Sequence, residues 1–311
     1  MNKRNIVWLI ILLVLVLVFI ISRQRENFER RIELFNFRTD DISRIQLVQR
    51  ADTLSIIRAD VGWLIEHPRV LPIREAHINR FIDDYFSLTV SSNFVSDLRD
   101  RQERFQVSED TGLLICIFGR NARSLSRMFF GRDMNNPNNG FIREANDNRI
   151  YQINNVNNLF QLLTTNLNTW RENRIVTFTD NEINSISISS GNEPFTLQQE
   201  FGMWRLLIEG EEPIDISSGN AVLSRFLNAL TGLTTTIFFD DRYEEFSERL
   251  ASPELAFHVV LVTGENVFLN LAINDENSFV LQRNQEQETL YRLTTGIFNQ
   301  LALEPERLLE H

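Results

Sequence analysis

At 311 residues, 43% of them hydrophobic and 24 of them Phe, the chain has room for about two ordinary domains and is too apolar to be disordered. Its formal charge of −11 sets up a field that repels phosphate backbones, which excludes nucleic acid as a partner. The single cysteine, Cys116, rules out an intramolecular disulfide, and within the apolar run 113–118 it reads as a buried small hydrophobe.

The chain begins with an address. Ile6 to Ile21 are sixteen consecutive apolar residues, bracketed by Lys3-Arg4 and Arg23. As a helix they span about 24 Å, enough to cross a bilayer once flanking polar side chains reach the headgroups. The sequence Ile20-Ile21-Ser22-Arg23 offers no small-residue cleavage pattern, so an uncleaved anchor is expected. Lys3 and Arg4 precede the run and Arg23, Arg25, Arg30 and Arg31 follow it, a balance that by itself would keep the modules in the cytoplasm, though Glu26 and Glu29 dilute it. A short N-terminal tail and a long following domain favour modules outside the cytoplasm, on a single-pass protein of the bacterial cytoplasmic membrane.

The remainder repeats itself. Leu34 to Ile45 returns as Val176 to Ile186, and Phe37/Phe178, Trp63/Trp204 and Pro72-Ile73/Pro213-Ile214 are all 141 residues apart. After a four-residue insertion, Phe81/Phe226, Leu88/Leu233, Phe94/Phe239 and Gly119/Gly264 are 145 apart. The predicted organisation is an anchor and juxtamembrane segment over 1–29, a first module over 30–170 and a second over 171–311.

Each module opens on short alternating segments that predict a three-stranded antiparallel meander, ending in Gly62-Trp63 or Met203-Trp204. An amphipathic helix follows, with Ile78, Phe81, Ile82, Tyr85 and Phe86 answered by Val222, Leu223, Phe226, Leu227 and Leu230. Apolar runs then predict well-covered strands over 113–118 and 125–130, echoed at 257–262 and 267–273. A hairpin and a closing helix complete each copy, at 156–163 in the first and 297–303 in the second. The fold class is therefore α+β: two tandem antiparallel-sheet modules, each with about two helices, behind a transmembrane helix.

The order Ile-x-x-Ile-x-Leu, Gly-Trp, Pro-Ile, amphipathic helix, Phe-Phe-Gly131, Gly140-Phe-Ile142, Ile150-Tyr151 and Trp170-Arg171-Glu172-Asn173-Arg174-Ile175 resembles the DUF4340 family of membrane-anchored bacterial proteins. The pattern departs locally at Arg104-Phe105-Gln106-Val107, where that family tends to carry a Tyr-Gly-Leu segment before a proline. The resemblance implies an accessory role beside ABC-transporter permeases and auxiliary subunits of the gliding-motility type.

Residues that carry chemistry are sparse. His67, His77, His258 and His311 have no metal-ligand partner at i+3 or i+4, and no nucleophile elbow, Walker loop or dinucleotide turn is present. Asp240-Asp241-Arg242-Tyr243-Glu244-Glu245 is the best carboxylate group, but acids interleaved with arginine read as a solvated face. Asp133 to Gly140, with Glu144, imitates a calcium loop. Pro137 stands where an oxygen ligand is needed and Asn138 where the turn wants glycine, so a polar connection is expected.

The expectation is thus no catalytic, cofactor-binding or metal residues, and no cofactor. The first reading is a non-enzymatic accessory or scaffold subunit, held in the membrane through Ile6 to Ile21 and acting through protein contacts with a permease and its companions. The alternative is a ligand-binding module for a lipid, glycan or peptide with a cleft between the repeats, and a hydrolase using Asp240 to Glu245 comes third.

Overall fold

The computed structural model describes residues 31–191, 194–217 and 219–309. The predicted anchor, Ile6 to Ile21, lies outside them. Among the described residues no helix is long and apolar enough to cross a membrane. The chain divides into two compact units, one ending at Glu172 and the other beginning at Asn173. The architecture is α+β, with one large antiparallel sheet in each unit and six α-helices among the described residues.

The first unit contains β1 (Arg31–Glu33), β2 (Ile42–Gln49), β3 (Asp52–Arg58), β4 (Trp63–His67), β5 (Leu71–Pro72), α1 (Glu75–Phe86), β6 (Thr89–Ser91), β7 (Leu113–Gly119), β8 (Ser124–Arg132), β9 (Asn139–Glu144), β10 (Ile150–Asn154), α2 (Asn157–Leu162) and α3 (Leu167–Trp170). Its sheet runs β10-β9-β8-β7-β2-β3-β4-β5, while β1 pairs with β6 in a separate ribbon. The second unit contains β11 (Ile183–Ser189), β12 (Phe195–Glu200), β13 (Met203–Ile208), β14 (Ile214–Ile216), α4 (Ala221–Thr231), β15 (Phe238–Asp240), α5 (Tyr243–Leu250), β16 (Leu255–Leu261), β17 (Asn266–Asp275), β18 (Ser278–Arg283), β19 (Thr289–Thr294) and α6 (Thr295–Leu301). Its sheet runs β14-β13-β12-β11-β16-β17-β18-β19-β15, the same order with one extra edge strand.

The correspondence extends to register. Ile45 faces Ile56 in the first sheet, and Ile186 faces Leu197 in the second, 141 residues on along both strands. A bulge between Ile42 and Arg44 against β7 recurs between Ile183 and Ser185 against β16. The turn leading into each first strand is closed in one way: the Arg38 N–H donates to Asp41 Oδ2 at 3.2 Å, and the Thr179 N–H to Glu182 Oε2 at 2.7 Å. A carboxylate at the third position of such a turn satisfies an otherwise orphaned amide.

Three of the sequence matches are displaced by turns of unequal length. Pro72 faces Leu64, whereas Asp215 faces the matching Arg205, so buried Ile73 corresponds to buried Ile216 and not to Ile214. The four-residue insertion is therefore split, two residues in the turn before β14 and two before α4. Ser96, not Phe94, faces Ile150, while Phe239 faces Leu290. Gly119 closes its hairpin by donating to Arg123 O, as Leu261 does to Glu265 O, both at 2.8 Å. Gly264 thus corresponds to Ala122, and both have positive φ.

Each main core lies between one sheet face and the long helix. Ile78, Phe81 and Tyr85 of α1 are buried against Ile45, Leu47, Ile115 and Ile117, and Leu223, Phe226 and Leu230 of α4 against Ile186, Ile188, Phe257 and Val259. Fully burying such side chains stabilises by about 1.5–3 kcal/mol each. A smaller cluster covers the other sheet face. In the second unit it is Phe246 and Leu250 of α5 over Ala272, Val280 and Leu290, and in the first Val107 with Phe129 and Ile150, beneath a stretch with no long helix. Each unit thus has three helices where about two were expected, because α3 is a single turn and α5 has no helical counterpart in the first unit.

Gly140 marks where β9 passes the helix that follows β10. A Cβ at that position would stand 2.3 Å from Phe160 Cζ and 2.8 Å from the Gly131 carbonyl oxygen. Gly140→Ala is expected to cost about 1–3 kcal/mol through forced repacking, seen as a lower urea midpoint. An unchanged midpoint would contradict this packing.

Candidate functional site

The acidic group at 240–245 forms a structural corner. Thr289 Oγ1 donates to Asp240 Oδ1 at 2.9 Å, and the Asp241 N–H donates to Glu288 O at 2.9 Å. Arg242 grips Glu245 with two donors, Nε to Oε1 at 2.8 Å and Nη2 to Oε2 at 2.5 Å, and its guanidinium lies over the rings of Phe239 and Phe246. That hydrogen bonding holds the Glu245 carboxyl below its ordinary range. A general acid needs the opposite shift. The group holds α5 onto β15.

The polar loop 133–138 satisfies itself. Asn135 and Asn138 donate their N–H groups to Asp133 Oδ1 and Asn136 Oδ1, at 2.9 and 3.1 Å. These are side-chain-closed turns, so the oxygens a cation would need already accept from the loop's own backbone. Among the described residues no cluster of three or more His, Cys, Asp or Glu could hold a metal ion.

The histidines are dispersed. His258 stacks on Phe268 at 4.4 Å and shares a 2.8 Å hydrogen bond with Asn266, His67 lies at the end of β4, and His311 is outside the described residues. His77 joins α1 to α3. Arg74, which can only donate, is 3.2 Å from Nε2, so Nδ1 carries the proton and donates to Thr169 O at 2.7 Å. Burial, and then the neighbouring Arg74 and Arg80, push the His77 pKa below 6.5. Cys116 is buried, and burial pushes its thiol up, away from the thiolate that reactivity requires.

What the fold does offer is surface relief and a separation of charge. A cleft of about 770 Å³ lies in the second unit, lined by Phe195, Ile208, Leu303 and Pro305 together with Glu211, Glu304 and Glu306. At the matching end of the first sheet the turns carry Arg50 and Arg69, with His67 at the end of β4. The opposition is general. Residues 31–172 hold 18 arginines and 18 carboxylates, whereas residues 173–311 hold 8 arginines and 22 carboxylates. The net charge of the chain therefore resides in its second half. Sequence reading by motif missed this cleft because its walls come from three separate segments, none with a motif. The charge imbalance was available from a count taken on each side of the predicted boundary.

The His77 contacts generate a pH dependence. With a folded pKa below the unfolded 6.5, the native state binds fewer protons in that interval, so stability falls as pH drops through 6.5. His77→Gln is expected to flatten the loss of melting temperature between pH 7.5 and 5.5. Equal slopes for variant and parent would contradict the assignment.

No curated protein and no solved structure matches the chain. The model of a family described as a domain of unknown function, DUF4340, matches residues 63–253, from β4 of the first unit to just past α5 of the second. The match covers more than half of the chain, which belongs to the DUF4340 family.

Proposed function

We propose that this protein is a membrane-anchored, non-enzymatic accessory or scaffold subunit of an ABC-transporter complex of the gliding-motility type. Ile6 to Ile21 tether it, and its two modules work outside the cytoplasm by contacting an integral-membrane permease and auxiliary subunits.

One observation carries the contact reading: the second half holds 22 carboxylates against 8 arginines, and its cleft sets Glu211, Glu304 and Glu306 beside Phe195, Ile208 and Leu303. Apolar contact supplies affinity at such surfaces, while charge steers encounter and selects the partner. A basic loop or tail with interspersed apolar side chains is the complementary shape. The corner at 240–245 and the self-closed loop at 133–138 favour no competing chemistry.

Cross-linking in native membranes followed by mass spectrometry tests the proposal. A permease or companion subunit should be recovered with the chain, and Glu211→Lys with Glu304→Lys and Glu306→Lys should lower that recovery by about tenfold, the effect of removing charges that steer binding. Recovery of the protein alone, with its fold intact by circular dichroism, would contradict the proposal.

A further inference from the structure

The place where the chain enters the first unit is bordered by apolar side chains that the fold leaves open. β1 pairs with β6, placing Arg31 opposite Ser91. Three residues beyond β6 the chain reaches Phe94, Val95 and Leu98, which are 45%, 41% and 50% exposed. Their backbone is held firmly: the Val95 N–H donates to Ile150 O and the Ile150 N–H to Ser96 O, both at 2.7 Å. The Leu98 N–H in turn donates to Ser96 Oγ at 3.3 Å, so the segment that carries these side chains is pinned to the sheet.

The second unit shows the same relief at this position. There the matching stretch is β15, where Phe239 takes the place of Ser96, both buried, and Ile237 takes the place of Phe94 and is 42% exposed. In the first unit a 3₁₀ turn, Arg99–Arg101, follows in place of the helix whose Phe246 stacks on Phe239. What sets the first unit's apolar side chains apart is their place next to the entering chain.

What lies next to that edge is readable from the chain. Nine residues, Ser22 to Arg30, separate the apolar run Ile6 to Ile21 from β1, a reach of at most about 32 Å. The local charge suits a bilayer surface better than the whole-chain figure of −11 suggests. Residues 94–104 carry Asp97, Asp100 and Glu103 against Arg99, Arg101 and Arg104, and the first unit is balanced overall. Without a basic excess, apolar insertion must supply the attachment, so zwitterionic lipid should suffice.

We infer that Phe94, Val95 and Leu98 form a bilayer-facing patch that seats the first unit on the headgroup region beside its own anchor. The inference rests on the reading of Ile6 to Ile21 as membrane-spanning. It adds that the first unit stands against the lipid, so that the tether fixes its orientation as well as its location.

The test uses the full chain in phosphatidylcholine vesicles. Single cysteines replacing Phe94, Trp8 or Val61, in a Cys116→Ser background, are labelled with an environment-sensitive nitrobenzoxadiazole dye. Lipid carrying a doxyl quencher is then titrated in. Cys116→Ala supplies the background should serine unsettle β7. Val61 is 93% exposed on the β3–β4 turn, six strand spacings or about 29 Å across the sheet from β10. The dye at 8 and at 94 should be quenched and the dye at 61 should not. Quenching at 8 with 94 no different from 61 would overturn the patch and leave the anchor standing. A dye at 8 that lipid fails to quench would overturn the anchor and, with it, the patch.

Discussion

Each half of this protein depends on a strand pairing made across a long stretch of chain. Ile45 on β2 faces Ile117 on β7, and Ile186 on β11 faces Val259 on β16. Between the partners lie a hairpin, a short edge strand and the long helix. Closing so large a loop costs entropy that no local contact repays. The repayment comes from the apolar faces brought together by closure: Ile45, Leu47, Ile115 and Ile117 below α1, and Ile186, Ile188, Phe257 and Val259 below α4. Without this pairing each unit would be two meanders, neither able to cover its own apolar face.

The central pairing also explains which differences between the copies are tolerated. Buried positions at the helix–sheet contact keep their chemistry, as Phe81 and Phe226 do. Turns differ in length, because a turn at the end of a sheet can grow without disturbing the ladder. The outer surfaces diverge furthest. One unit balances its charges and the other gathers 22 carboxylates, and one covers its back face with α5 while the other uses an extended stretch around Val107. Two copies of one core with unlike exteriors are suited to different neighbours.

Much of this was written in the sequence as periodicity. The apolar run over 257–262 and the stripe through Ile78, Phe81 and Tyr85 announce a strand and a helix, because burial selects apolar residues at those positions. Helix α5 was hidden. Its stretch, Tyr243 to Leu250, carries Glu244, Glu245 and Glu248, and Phe246 and Leu250, with a half-buried Tyr243, face the sheet, so its charges masked a helix held by one short apolar contact. The step from 141 to 145 between matches announced an insertion of four, but how the turns divide it was invisible, since a residue gained in a turn alters no pattern within a strand or helix. The carboxylates at 240–245 looked like chemistry from their clustering alone. Hydrogen-bond geometry, which spacing cannot supply, assigns them to a corner.

The whole-chain charge likewise concealed its distribution. The value of −11 was read as one field, repelling phosphate backbones, over the whole chain. Resolved by unit, the first is neutral and free to approach a membrane, and the second carries the field. Native-state hydrogen exchange tests the dependence of each unit on its central pairing most directly, because slow exchange follows the structure that opens last. The slowest amides in the first unit should lie on β2 and β7, and in the second on β11 and β16, with β5 and β14 exchanging sooner. Protection confined to the hairpins or helices, with the central strands exchanging as fast as those edges, would contradict the account.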